Sequence, residues 1–101
     1  MKKVFLFVSL FVAFSANAAD ALSIAKNNNC LACHAVDKKL VGPSYKDVAA
    51  KYASDKGATV ELMKKVKAGT VGKWGPIPMP ANPQISDADL KIVIDWILKS
   101  K

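Results

Sequence analysis

The two cysteines and the single histidine of this sequence lie together as Cys30-Leu31-Ala32-Cys33-His34. The order Cys-x-x-Cys-His is the attachment motif of c-type haem. Two thiols at this spacing can add to the two vinyl groups of one porphyrin, and the imidazole of the next residue then reaches the iron. The motif therefore predicts one covalent haem c, with Cys30 and Cys33 as tethers and His34 as an axial iron ligand.

The second axial position of the iron needs a different donor, because His34 is the only histidine. What fills this position decides between electron transfer and ligand chemistry. The candidates are Met63 and Met79. Met63 falls in a predicted helix among apolar residues, which is typical of a methionine that fills a gap in the core. Met79 is flanked by Pro78 and Pro80, which hold the backbone extended. We therefore predict Met79 as the second ligand.

Other chemistries of the two cysteines are less consistent with the sequence. A thioredoxin-like dithiol pair normally lies near a β-α-β pattern, and the sequence predicts no strand. Structural zinc normally takes four ligands, and this cluster offers three. A dithiol oxidoreductase without haem stays as an alternative, and it predicts a colourless protein with titratable thiols.

The N-terminal segment has the layout of a secretory signal peptide. Lys2 and Lys3 precede an apolar run from Val4 to Phe14, and small residues follow at Ala16 and Ala18. The apolar run is shorter than the roughly 20 residues that span a bilayer, so we expect no stable membrane insertion. We predict a signal peptide over residues 1–18, a mature domain over residues 19–101, and a periplasmic location.

Four helices and one proline-rich loop must position these ligands. Hydrophobic spacing and capping residues predict an all-α chain without a convincing strand. Asp20 and Ser86 are predicted N-caps, Gly69 is a predicted C-cap, and residues 70–84 carry too many prolines and glycines for a helix. The predicted helices cover about Ala21 to Asn28, Tyr45 to Ala53, Thr59 to Ala68, and the segment from Ser86 to about Lys99.

Taken together, these segments resemble the class I cytochromes c, most nearly the small bacterial monohaem type. The resemblance rests on Cys30 to His34, Val41-Gly42-Pro43, Tyr45 to Tyr52, Trp74-Gly75-Pro76-Ile77-Pro78-Met79-Pro80, and a final helix with Trp96. It covers the whole predicted mature chain. It implies a cytochrome c fold over residues 19–101, with four helices around one covalent haem and the first and last helices packed together.

The resemblance also implies roles for four further residues. Pro43 would accept a hydrogen bond from the free ring nitrogen of His34. Trp74 would donate its indole N–H to a haem propionate. Asn82 would orient the sulfur of Met79. Lys65 stands where relatives often place an arginine near a propionate, and lysine is a looser partner there.

The resemblance implies a periplasmic single-electron carrier that is not an enzyme. A cytochrome bc complex or another donor would supply the electron, and a nitrite reductase, peroxidase or terminal oxidase would accept it. The alternative is a haem enzyme or gas sensor whose sixth ligand is labile. Family membership also implies a monomer, and partner docking on an apolar patch around the haem edge, with Leu31, Val41, Ile77 and Pro80 as candidates.

The charge of the chain favours acidic protein partners. The sequence has 15 Lys and no Arg against 8 acidic residues, and removal of Lys2 and Lys3 lowers the net charge from +7 to +5. Such a surface can steer association with acidic redox partners. No recognition motif accompanies the charge, so we expect no nucleic-acid binding. The lysines nearest in sequence to the predicted haem contacts are Lys26, Lys38, Lys39, Lys64, Lys65 and Lys73.

Overall fold

The computed structural model describes residues 18–100 of the chain. Within these residues the chain forms four α-helices, one short 3-10 helix and no strand, which confirms the predicted all-α class. Nearly all of the predicted signal peptide, residues 1–17, lies outside the described part. The elements are α1 (Ala18–Asn27), a 3-10 helix (Cys30–Ala32), α2 (Tyr45–Lys51), α3 (Ala58–Ala68) and α4 (Asp87–Leu98).

Serine side chains begin two of the helices. The Ser44 hydroxyl accepts a hydrogen bond of 3.0 Å from the Asp47 amide at the start of α2. The Ser86 hydroxyl accepts one of 3.1 Å from the Asp89 amide at the start of α4, as predicted. Each bond satisfies an amide that has no partner inside the helix.

The first helix differs from its prediction at its beginning. We predicted that Asp20 caps a helix starting near Ala21, and that prediction is wrong, because α1 begins at Ala18. Asp20 therefore lies within the first turn, where its negative charge still interacts favourably with the helix dipole. The predicted end is nearly correct, because α1 stops at Asn27 and Asn29 adopts a left-handed conformation with φ 61°.

Helix α4 is the centre of the core. It packs against α1, α2 and α3, and the packing of the first helix on the last confirms one expectation. Its buried face consists of Leu90, Val93, Ile94 and Ile97, which lie at helical spacing. Burial of such side chains stabilises the fold by about 1.5–3 kcal/mol each before the entropy cost. The other core residues are Ala25, Tyr45, Val48, Tyr52, Ala58, Leu62 and Ile85.

The loop between α3 and α4 is held at its two ends. Thr70 and Met79 form an isolated antiparallel bridge, and the Asn82 amide donates to the Val66 carbonyl at 2.8 Å. Gly69 ends α3 with φ 82°, a conformation that favours glycine. Among the described residues, no helix is long and apolar enough to cross a membrane.

Candidate functional site

A cleft with a volume of about 280 Å³ opens between the cysteine segment, the three C-terminal helices and the loop after α3. Its walls are mostly apolar. The structure brings seven of the eight predicted site residues to this cleft, and Asn82 is the exception. The seven are Cys30, Cys33, His34, Pro43, Lys65, Trp74 and Met79.

The 3-10 helix places both cysteines on one tight turn. The amides of Cys33 and His34 both donate to the Cys30 carbonyl, at 3.2 and 3.0 Å. Both thiols are free and half-buried. Burial raises the pKa of the Cys30 thiol above its ordinary value. The sequence does not predict this turn, because three residues are too few for a periodic pattern.

The Pro43 carbonyl selects the tautomer of His34. The distance from His34 Nδ1 to this oxygen is 2.8 Å. A carbonyl oxygen can only accept, so Nδ1 must carry the proton that it donates. The neutral ring then has its lone pair on Nε2, which is the state that a metal requires. This bond therefore leaves Nε2 able to act as a metal ligand.

Gly42 lies against the ring of His34. A Cβ atom at Gly42 would be 2.5 Å from His34 Cε1 and 2.9 Å from Nδ1, closer than such contacts occur. The Gly42 amide also donates to the Cys33 carbonyl at 2.7 Å. The His34 ring thus occupies the place that a side chain at position 42 would need, and the Gly42 backbone in turn limits the movement of the imidazole.

Met79 is held by its own backbone. Its amide donates to the Thr70 carbonyl at 2.8 Å, and its carbonyl accepts from the Thr70 amide at 3.0 Å. A Cβ at Gly69 would be 3.0 Å from the Met79 carbonyl, so glycine allows this close approach. The side chain is half-buried at the cleft. A thioether is a soft ligand of the kind that haem iron accepts.

A cluster of cations borders the cleft beside α2 and α3. Lys65 Nζ lies 3.3 Å from Glu61 Oε1 and 3.4 Å from the Tyr52 hydroxyl. Lys73 Nζ lies 4.5 Å from the Tyr52 ring centroid and 3.8 Å from Glu61 Oε1. The interaction with Tyr52 raises the pKa of Lys73 above its ordinary value. The cluster therefore provides positive charge at one end of the cleft.

Trp74 and Asn82 have different surroundings. The Trp74 ring lines the cleft, and Lys51 Nζ lies 4.4 Å from its centroid. Asn82 is turned away from the cleft: its Nδ2 donates to the Pro80 carbonyl at 3.0 Å, and its Oδ1 accepts from Gln84 at 3.2 Å. The contacts of Trp74 with a propionate and of Asn82 with the Met79 sulfur stay predictions.

Tyr45 is a further residue of the site, which the sequence indicated only as the start of a predicted helix and of a segment that carries the family resemblance. Its ring stacks on His34, with centroids 5.4 Å apart and an angle of 25° between the planes. Its hydroxyl is buried and has no hydrogen-bond partner among the described residues. Burial raises the pKa of this phenol, so it stays neutral. In the sequence, its position two residues after Pro43 was the only indication that it lies near His34.

These residues fit a haem. The donor set comprises two free thiols, an imidazole with an available Nε2 and a thioether, all at one mostly apolar cleft. The cations at its end suit the carboxylates of a haem, and the imidazole is packed so closely that position 42 has no room for a side chain. The ligand types match His/Met ligation.

Comparisons with known proteins agree with this geometry. Residues 18–101 match the family model described as Cytochrome c. Cytochrome c-552 of Nitrosomonas europaea is 55% identical over 83 residues, which cover 82% of this chain and 80% of that protein. Cytochrome c-551 of Pseudomonas aeruginosa is 50% identical over 84 residues, with coverage of 83% and 80%.

Two solved structures are also similar. The crystal structure of wild-type Nitrosomonas europaea cytochrome c552 superposes with a TM-score of 0.76 at 54% identity, covering 79% of this chain and 99% of that one. The class 1 cytochrome MtoD of Sideroxydans lithotrophicus gives a TM-score of 0.73 at 36% identity, with coverage of 83% and 96%. The similarity therefore extends over the whole described part of the chain.

Proposed function

The chain belongs to the cytochrome c family, and from that premise we propose that Cys30 and Cys33 tether its haem c while His34 and Met79 bind the iron. The chain is an electron carrier and not an enzyme. When bound, the haem supplies an iron that exchanges one electron at a time. The 2.8 Å hydrogen bond from His34 Nδ1 to Pro43, at a cleft that Met79 also lines, carries the assignment.

The protein residues keep the ligands in place between the two oxidation states. Pro43 fixes the tautomer of His34, and the paired backbone of Thr70 and Met79 fixes the loop that presents the thioether. Ligands that are already in place need little rearrangement when the charge of the site changes, and this lowers the barrier to electron exchange. The apolar walls exclude water from the same region.

Redox proteins are the partners that this function requires, and we propose that they are acidic. Val41 and Ile77 line the cleft and are 53% and 64% exposed, so they offer an apolar contact surface. Pro80 is exposed beside them, whereas Leu31 is half-buried against the core and is a poor docking residue. A cytochrome bc complex as donor and a nitrite reductase, peroxidase or terminal oxidase as acceptor are the proposed classes.

A periplasmic location follows from the same proposal. A covalent c-type haem of this family is attached outside the cytoplasm, and residues 1–18 have the layout of a signal peptide. Expression of the full chain in a strain that matures other cytochromes c tests both points. We expect red protein in the periplasmic fraction, with a mass that lacks residues 1–18. Unprocessed, haem-free protein in the cytoplasm would contradict the proposal.

Replacement of each methionine tests the iron ligands. We expect Met79→Ala to lose the weak far-red absorption of thioether-bound ferric haem and to lower the reduction potential, because the thioether favours ferrous iron. Met63→Ala is the matched control, because Met63 packs against the core. We expect it to keep the band. If Met79→Ala retained the spectrum and potential of the parent, the assignment of Met79 would be wrong.

Carbon monoxide separates the carrier from the alternative of a haem enzyme or gas sensor. A carrier whose Met79 stays in place should resist carbon monoxide in its reduced form, and Met79→Ala should bind it readily. Rapid binding by the reduced parent protein would instead indicate a labile sixth ligand. It would favour the enzyme or sensor.

A further inference from the structure

Tyr45 is the aromatic residue that lies against the ring of His34. It is the first residue of α2, it is 2% exposed, and it stacks on the imidazole with an angle of 25° between the ring planes. Trp96 of α4 contacts it edge-on, with centroids 5.5 Å apart and an angle of 74°. The phenol ring is therefore packed between the imidazole and the last helix.

The backbone around Tyr45 is tied to the segment that follows His34. The Tyr45 amide donates to the Ala35 carbonyl at 2.9 Å, and the Lys46 amide donates to the Val36 carbonyl at 3.0 Å. The buried Ser44 caps the same helix turn. These bonds fix the distance between the start of α2 and the haem-binding segment, so the two stacked rings cannot easily separate.

The other contacts of the imidazole leave its plane incompletely defined. The bond to Pro43 constrains Nδ1, but a hydrogen bond tolerates deviations of tens of degrees from its preferred angle. The Gly42 backbone limits the ring near Cε1 and Nδ1. A stacked aromatic ring opposes tilting of the imidazole within the range that remains.

We propose that Tyr45 is a positioning residue that sets the orientation of the His34 imidazole plane relative to the haem. The inference rests on the proposed function, because it needs His34 as an iron ligand. The orientation of an axial imidazole determines how its π electrons interact with the iron. The haem methyl resonances of the oxidised protein therefore shift when this orientation changes.

The ring of Tyr45, not its hydroxyl, performs this role. The contact with His34 is made by the ring, and no hydrogen bond of the hydroxyl to a described residue adds to it. Tyr45→Phe keeps the stacked ring and should keep the methyl resonances of the parent. Tyr45→Leu removes the aromatic face and should change their order or spacing. Tyr45→Met, which fills similar space with a flexible chain, should do the same and replaces the leucine variant if that one fails to fold.

Tyr52→Leu is the matched control for these variants. Tyr52 is also a buried tyrosine at the cleft, next to α2, but it contacts Lys65 and Lys73 instead of the imidazole. We expect this variant to lose stability while its methyl resonances keep their order. All variants are compared as oxidised holoproteins by proton NMR, with the reduction potential as a second readout.

The possible outcomes are distinct. Parent-like resonances in Tyr45→Leu or Tyr45→Met, or an equal change in Tyr45→Phe or Tyr52→Leu, would overturn the role of Tyr45. Loss of the proposed function has another signature, because the parent protein itself would then lack the far-red band of thioether-bound haem. A parent with that band and an altered Tyr45→Leu spectrum supports the proposal.

Discussion

At the scale of single residues, Gly42 makes the most demanding contact of the site. A methyl group at this position would meet His34 Cε1 at 2.5 Å, so Gly42→Ala must displace the imidazole or the segment that carries position 42. Overpacking of this kind costs about 1–3 kcal/mol. We expect a lower free energy of unfolding for the holoprotein, measured by denaturant titration, together with a weaker far-red band.

Gly57→Ala provides the comparison for this prediction. The nearest atom to a Cβ at Gly57 is Asp55 Oδ1 at 3.5 Å, an ordinary contact, and the φ of −92° suits alanine. We expect its free energy of unfolding to stay within about 0.5 kcal/mol of the parent. Equal effects of the two substitutions would show that the ring of His34 can move aside at no cost.

Residue identities were enough to predict the candidate haem-binding residues that the structure brings to one cleft, but not the residues that surround them. Cys30, Cys33 and His34 lie within five residues of one another, so their spacing alone predicts a haem-attachment motif. Tyr45 contacts His34 only because α2 is tied to the segment after the motif, and no local pattern reports that connection. For Asn82 the sequence resemblance predicted a contact at the site, but its side chain donates to the nearby Pro80 carbonyl and does not line the cleft.

At the scale of elements, the cap of α4 is a separable contribution to stability. The Ser86 hydroxyl accepts from the Asp89 amide at 3.1 Å on an exposed turn. Ser86→Ala leaves that amide without its partner and should cost about 1 kcal/mol. Such a loss lowers the melting temperature by roughly 4–8 °C in a domain of this size. The visible spectrum should be unchanged, and Ser86→Thr should restore most of the melting temperature.

Lysine side chains on the surface also hold the loop that contains Met79. Lys73 lies over the Tyr52 ring, Lys51 lies over the Trp74 ring, and Lys51 Nζ also donates to the Lys73 carbonyl at 3.2 Å. These contacts join the loop to the end of α2. Sequence periodicity predicted the helices well, but it could not pair these side chains, because the partners come from separate elements.

Lys73→Gln should loosen this loop. The substitution removes the cation over Tyr52 and its ion pair with Glu61, both interactions of modest strength. We expect the Thr70 and Met79 amides to exchange with deuterium roughly threefold faster. Lys64→Gln, on an exposed position of α3, is the control and should leave both rates unchanged. Equal rates in the parent and Lys73→Gln would exclude a role in holding the loop.

At the scale of the whole molecule, the charge distribution and the cleft act together. The predicted mature chain carries 13 Lys against 8 acidic residues, and Lys39, Lys65 and Lys73 line the cleft. Glu61 pairs with Lys65 and Lys73, whereas Lys39 is exposed and lies two residues before Val41 in the sequence. Association with an acidic partner should therefore depend on charge near the cleft more than on net charge.

Two charge reversals with the same change in net charge test this distinction. Lys39→Glu alters the border of the cleft, and Lys99→Glu alters the exposed end of α4. The quantity to measure is the rate at which ferricyanide, an anion, oxidises the reduced holoprotein at low ionic strength. Attraction to the cleft should make Lys39→Glu severalfold slower than the parent and Lys99→Glu only slightly slower.

Salt and the sign of the oxidant complete the experiment. The difference between the two variants should disappear at high ionic strength, because exposed charges further apart than about 10 Å are screened at 0.1 M salt. A cationic cobalt complex as oxidant should reverse the order, with Lys39→Glu faster than the parent. If both variants slowed equally with ferricyanide, the net charge of the protein would govern the rate of electron transfer. The cleft would then not be the docking region.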